Sequence, residues 1–222
     1  MQRILVFGST APSGFPLVRN ALQDYPEAKL VLCVRSPQKL PADIASHPSI
    51  VLTEGQLDDT TAIDRALNGV DAVLSALGPS SPKHPKDKTP IADFYAALLG
   101  LMRKRGVKRI VLLGTASARD PRDRFAIGFK AMTASVYTLY YPGFNEFRAI
   151  GQVFRSEAAK GIEWTMVRVP FLTDGESETY VVGYPGDGKA GTRVSRKAFG
   201  KFAVRELKKR EWVGEMPAIS NP

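Results

Sequence analysis

The first apolar run, Ile4-Leu5-Val6-Phe7, stops at Gly8 and has the length of a buried strand. A Gly/Ser/Pro loop follows, and then the period changes. Phe15, Val18 and Leu22 recur at helical spacing within residues 15–25. Residues 29–34 are a second apolar strand, and residues 50–52 a short third one. Thr60 or Thr61 can cap a helix that runs to about Asn68, where Gly69 closes it. Residues 71–77 predict a fourth strand ending at Gly78-Pro79. A Pro/Ser/Lys-rich loop over 78–89 leads into a long helix over 91–105, stopped by Gly106, and a fifth strand over 108–113. Strands apolar on both faces, alternating with helices, predict a Rossmann-like, doubly wound α/β fold with a parallel sheet.

Beyond Gly114 the pattern loosens. Residues 116–141 are rich in aromatics and Arg and show no clear period. A helix is predicted over 145–160, with Gly161 as its stop, and a sixth strand over 163–169. Residues 170–191 read as irregular. Ser195 can cap a last helix to about Lys209, with Ala198, Phe199, Phe202, Ala203 and Leu207 on its apolar face and a basic face opposite. The whole chain, 1–222, reads as one domain, with 118–150 and 171–193 as small substrate-side insertions.

Composition adds exclusions. The 222 residues are 44% hydrophobic and 24% charged, ordinary for a globular protein. No stretch has the length of a secretory signal or a membrane span, so a cytoplasmic protein with no membrane partner is expected. The one cysteine, Cys33, lies within the second apolar strand and reads as a structural thiol. His47 and His84 have no ligand-type neighbours, so no metal site is expected. The net charge of +9 is spread over Arg103-Lys104-Arg105 with Lys108-Arg109, over Lys83, Lys86 and Lys88, and along the last thirty residues. It is not interleaved with aromatics, and no zinc-finger or helix-turn-helix pattern accompanies it, so no nucleic acid is expected. A solvated surface together with attraction for a polyanionic cofactor explains the excess more simply. Monomer and dimer are both compatible with the sequence.

The loop Gly8-Ser9-Thr10-Ala11-Pro12-Ser13-Gly14 joins the first strand to the first helix. A helix N-terminus offers unpaired N–H groups and partial positive charge to a phosphate. Gly8 supplies the turn off the strand, Gly14 lets the helix begin close to the sheet, and Thr10 and Ser13 add hydroxyls. Ala11-Pro12 stands where a middle glycine is expected, and Pro12 removes one N–H donor. At the end of the second strand, Arg35 and Lys39 replace the acidic residue that would bind a ribose 2′-hydroxyl. They would neutralise a 2′-phosphate, which selects NADP(H) as the expected cofactor.

These segments, with Gly55-Gln56-Leu57-Asp58-Asp59, the strand 71–78, Trp164-Thr165-Met166-Val167-Arg168-Val169-Pro170 and the start of the last helix at 194–199, resemble the atypical short-chain dehydrogenases/reductases. More narrowly they resemble the NmrA-like NAD(P)-binding proteins, a group that includes flavin and biliverdin-type reductases. The resemblance spans nearly the whole chain. It implies that Gly8, Thr10, Ser13, Gly14 and Phe15 hold the phosphates. By the same resemblance Ser75, Ala76, Leu77 and Gly78 pass under the adenosine ribose and pyrophosphate, and Asp58 lies near the adenine. Thr115, Ala116 and Ser117 would flank the nicotinamide, and Pro170 and Leu172 its carboxamide. Gln56 replaces the family's usual Asp.

Short-chain reductases typically pair a Tyr with a Lys four residues later on one helix face, where the Lys lowers the Tyr pKa. This chain has no Tyr-x-x-x-Lys, and the equivalent positions fall near Glu146 and Ile150. A reductase using another acid is one reading, with Tyr140, Tyr141, Glu146 or a water as donor and Ser117 or Thr115 orienting the substrate. A non-redox isomerase or cyclase is a second, and a non-catalytic NADP(H) sensor a third. Each residue also has a plainer role. The tyrosines can simply pack, Glu146 can be a surface charge at a helix start, and Arg168 can pair with a carboxylate. Segments 78–89, 125–147 and 174–191 would roof an apolar pocket suited to a planar or hydrophobic small molecule.

Overall fold

The computed structural model describes residues 1–79 and 84–222. Lys83 of the basic loop, and part of the predicted 78–89 roof, lie outside the described residues. The Rossmann half follows the apolar pattern closely. Strands β1 (Arg3–Phe7), β2 (Lys29–Val34), β3 (Ile50–Glu54), β4 (Ala72–Ser75), β5 (Arg109–Gly114) and β6 (Glu163–Arg168) pair in parallel, in the order β3-β2-β1-β4-β5-β6. β1, β4 and β5 are buried along nearly their whole length, as a sheet covered on both faces requires.

The helices are α1 (Gly14–Asp24), α2 (Ala42–Ala45), α3 (Thr60–Ala66), α4 (Pro90–Arg105), α5 (Ile127–Leu139), α6 (Tyr141–Phe154) and α7 (Arg196–Lys209). α1 packs on α7, while α4 packs on α3 and α6. The first contact is intimate, because a Cβ on Gly200 of α7 would lie 2.8 Å from the Pro16 carbonyl carbon of α1. Ser195 caps α7, its Oγ accepting from Ala198 N at 2.9 Å. The cap of α3 is Asp59 rather than Thr60 or Thr61: its carboxylate accepts from Ala62 N at 2.9 Å. Among the described residues no helix is long and apolar enough to cross a membrane.

The second half holds elements with no visible period in the sequence. The aromatic stretch contains α5, which buries only Phe129 and Met132 and leaves Ile127 and Leu139 exposed. Apolar residues on several sides of that helix erase the one-face stripe. α6 begins at Tyr141 and ends at Phe154, shorter than the predicted 145–160 at its far end, where a separate short turn spans Glu157–Ala159. The segment read as irregular contains β7 (Phe171–Thr173) and β8 (Val181–Gly183), and β9 (Arg193–Ser195) follows. β7 and β9 pair as a separate two-stranded sheet. β10 (Ala218–Ser220) runs parallel to β6 and takes β8 antiparallel on its other side, extending the main sheet to eight strands. Three residues are too few for a strand to announce its period.

Candidate functional site

The loop after β1 makes two tight turns. Ala11 N donates to Gly8 O at 3.1 Å, and Gly14 N to Ala11 O at 2.8 Å. Gly8 has φ +73°, and a Cβ on Gly14 would fall 2.1 Å from Gly8 O, so the helix begins directly against the strand end. α1 has no side-chain cap from Ser13 and no acidic residue in its first turn. The buried Ser9 Oγ has no hydrogen-bond partner among the described residues. An uncapped helix N-terminus, an orphaned buried hydroxyl and the neighbouring Thr10, Ser13 and Phe15 fit a phosphate group. Pro12 in this loop is exposed.

Towards β2 and β3 a space of about 280 Å³ is lined by Arg35, Glu54, Gly55, Gln56, Asp58 and Asp59. Arg35 thus shares one space with Asp58 and Gln56. Asp59 is spent on the α3 cap. Lys39 sits exposed on the turn Pro37–Lys39 and does not line this space. On the other side of β1, a Cβ on Gly8 would lie 2.8 Å from the Ala76 carbonyl carbon, so the loops after β1 and β4 touch. Ala76 and Leu77 thus border the phosphate loop, whereas Gly78 lies against the Phe147 ring. Ser75 turns away from it: its Oγ shares a hydrogen bond with Tyr95 Oη at 2.6 Å and accepts from Leu77 N at 3.3 Å. Burial pushes the Tyr95 hydroxyl above the usual tyrosine range.

At the carboxyl ends of β4, β5 and β6 lies an inner cavity of about 180 Å³. Thr115, Ala116, Ser117 and Pro170 line it, with Pro79, Tyr140, Phe147 and Phe171. Leu172, the middle residue of β7, packs against the core instead. The Thr115 Oγ1 accepts from Ser117 N at 3.3 Å, which shapes the turn after β5. That turn is fixed from below by Arg168, only 1% exposed at the end of β6. Its guanidinium grips Asp123 with two bonds of 2.6 and 2.7 Å and donates to Ala118 O and Met216 O. The plainer reading of Arg168 holds.

The proposed acids separate. Tyr140 lines the inner cavity, and burial, with a lesser push from the Glu146 carboxylate, raises its hydroxyl above the ordinary value. Tyr141 lies on the surface at 40% exposure, edge-on to Tyr137 and stacked near Phe144, and lines neither cavity. Glu146 is not a surface charge but is fully buried. Its Oε1 accepts from Ala92 N at 2.8 Å and its Oε2 lies 2.6 Å from His84 Nε2. Thr89 gives α4 no side-chain cap, so a carboxylate from α6 supplies it. On α6, the next residue, Phe147, takes the place facing the pocket, over Gly78.

A second cavity, about 870 Å³, shares Ala116 and Thr133 with the inner one and opens outward under α5. Arg119, Arg124, Lys130 and Phe125 stand in its wall. Sequence reasoning passed over these three cations, although the segment's richness in Arg and aromatics was visible.

Comparison with known proteins agrees with this geometry. A profile described as NAD(P)H-binding matches residues 8–210. A short-chain dehydrogenase/reductase from Veillonella parvula, solved in complex with NADP, is 14% identical, with all of this chain and 95% of that one covered and a TM-score of 0.78. A Rossmann-fold NAD(P)-binding family protein from Shigella flexneri is 21% identical, covering 100% of this chain and 94% of that one, with a TM-score of 0.70. An oxidoreductase from Lactococcus lactis is 16% identical, covering 100% and 91%, with a TM-score of 0.76. No curated protein matches the chain. With the matched profile covering the phosphate loop, both cavities and α7, the chain belongs to the NAD(P)H-binding family, on the Rossmann fold of the short-chain dehydrogenases/reductases.

Proposed function

We propose that the protein is an NADP(H)-dependent oxidoreductase acting on a planar or hydrophobic small molecule, without the usual Tyr-Lys pair. The observation that carries this is the run of site elements along the carboxyl ends of the parallel strands. It goes from Arg35, past the uncapped α1 N-terminus, to a mostly apolar cavity at the ends of β4, β5 and β6. Arg35 enters no ion pair among the described residues, although Glu54 and Asp58 share its space. A 2′-phosphate there would give it a partner. The NmrA-like subtype and a cytoplasmic location remain part of the same reading, as does a small molecule rather than a nucleic acid as partner.

The cofactor, when bound, supplies or accepts hydride. The chain's own task is then to bind, orient and exclude water, which accounts for much of the rate in such reactions. Thr115 and the turn held by Arg168 set the cavity floor. Ser117 and Tyr140 place polar groups in its lining, where they would orient a substrate oxygen. Glu146 is removed from that role by its two partners. That removal favours, as second readings, a non-redox enzyme or a sensor.

Titration of the wild type and Arg35→Ala with NADPH and NADH, followed by nucleotide fluorescence, tests the cofactor. We expect Arg35→Ala to weaken NADPH about tenfold, ~1.4 kcal/mol, and NADH little. An unchanged NADPH preference would remove the 2′-phosphate claim. NADPH oxidation with quinones, flavins and enones then tests the chemistry, and tight binding without turnover of any would favour the sensor.

A further inference from the structure

The outer cavity has a charge pattern that an apolar substrate alone does not explain. Its wall contains five charged side chains, Arg119, Asp120, Asp123, Arg124 and Lys130. The two carboxylates are neutralised from behind. Asp120 is bound by Arg122 at 3.0 Å and Arg155 at 2.6 Å, and Asp123 by the buried Arg168. None of those three arginines lines the cavity. Arg119, Arg124 and Lys130 enter no ion pair among the described residues. The charges in the wall that carry no ion-pair partner among the described residues are thus cationic, and its uncharged wall mixes Phe129, Tyr137 and Phe144 with small residues such as Ala126 and Ala134. The Lys130 ammonium lies 4.4 Å from the Phe125 ring centroid, so aromatic and cationic groups are interleaved at the rim.

We infer that the substrate is an anionic amphiphile. Its flat apolar part reaches the inner cavity past Ala116 and Thr133, and an acidic group, carboxylate or sulfonate in character, is held outside by Arg119, Arg124 and Lys130. This rests on the oxidoreductase reading, and it names the class of molecule that site would take. Arginine forks and an ammonium suit such a group, while the neutralised aspartates do not repel it. The exposed position of the cations fits an end of the substrate that stays partly hydrated.

The test uses anilinonaphthalene sulfonate and its uncharged parent, phenylnaphthylamine, with NADP⁺ in excess to keep the dinucleotide groove filled. Dye fluorescence gives a Kd for each on the wild type and on the combined variant Arg119→Gln, Arg124→Gln, Lys130→Gln. We expect the wild type to prefer the sulfonate, and the variant to lose that preference by about tenfold while the parent binds as before. A preference that survives in the variant overturns the inference. A second variant, Ile127→Ser with Leu139→Ser, alters exposed apolar residues outside both cavities. Loss of sulfonate binding there would place the dye on the outer face of α5 and also overturn it. NADPH binding with no sulfonate preference sinks this inference alone. A cation-dependent preference in a protein that binds neither NADPH nor NADH sinks the cofactor reading alone.

Discussion

Glu146 shows how a single residue changes meaning between sequence and structure. By counting along the chain it occupies the place of a catalytic group. In the fold it is an interhelical cap, its carboxylate satisfying Ala92 N at the start of α4 and meeting His84. Glu146→Ala is expected to cost about 2 kcal/mol of stability, read as a lowered thermal midpoint, because it strands a buried N–H. Glu146→Gln keeps an acceptor and should recover much of that. If Glu146→Gln left stability and NADPH binding intact but abolished turnover, the residue would be chemical after all. Asp120 offers a pH signature. Burial opposes its charge, but hydrogen bonds and attraction from Arg122, with Arg155, outweigh this and leave its carboxyl below the usual range. A depressed carboxyl contributes stability that is present above its unfolded pKa and lost as pH falls through the folded one. Below about pH 4 the wild type should therefore lose stability more steeply than Asp120→Asn, as thermal midpoints measured across that range would reveal.

At the scale of elements, legibility followed length and environment. β1 and β2 were readable because a doubly covered strand is an unbroken apolar run, and α7 because Ser195 and a two-sided helix pattern announce it. α5 was hidden by apolar residues on several faces, and β7 to β10 by their three-residue length. The cofactor end of the site was legible for the same reason as the strands, since it sits at their ends. The substrate end was not, because Tyr140 rather than Tyr141, and Phe147 rather than Glu146, face the pocket only once α6 takes its orientation. The α1–α7 contact yields a prediction at this scale. Gly200→Ala would press a methyl onto the Pro16 backbone, and one helix must move. We expect a loss of about 1–3 kcal/mol, despite alanine's better helix propensity, together with weaker NADPH binding, since α1 carries the phosphate loop at its N-terminus. A Gly200→Ala protein with wild-type stability and affinity would show that the contact is slack.

Across the whole molecule, the substrate half is tied together by residues 215–220. Met216 O receives Arg168, Glu215 accepts from Arg122 and Tyr184, and β10 seals β6 to β8. The phosphate loop and Arg35 depend on none of these contacts. During synthesis, the strands β1 to β3 and the loop between β1 and α1 leave the ribosome early. Arg168, which supports the turn over Ser117, gains its bond to Met216 O only when residues 215–220 fold back. Nucleotide recognition and substrate recognition would thus mature at different times in one domain. A chain released without residues 211–222 is expected to retain a nucleotide-responsive core in limited proteolysis, protected by NADPH, while losing the dye site beneath α5.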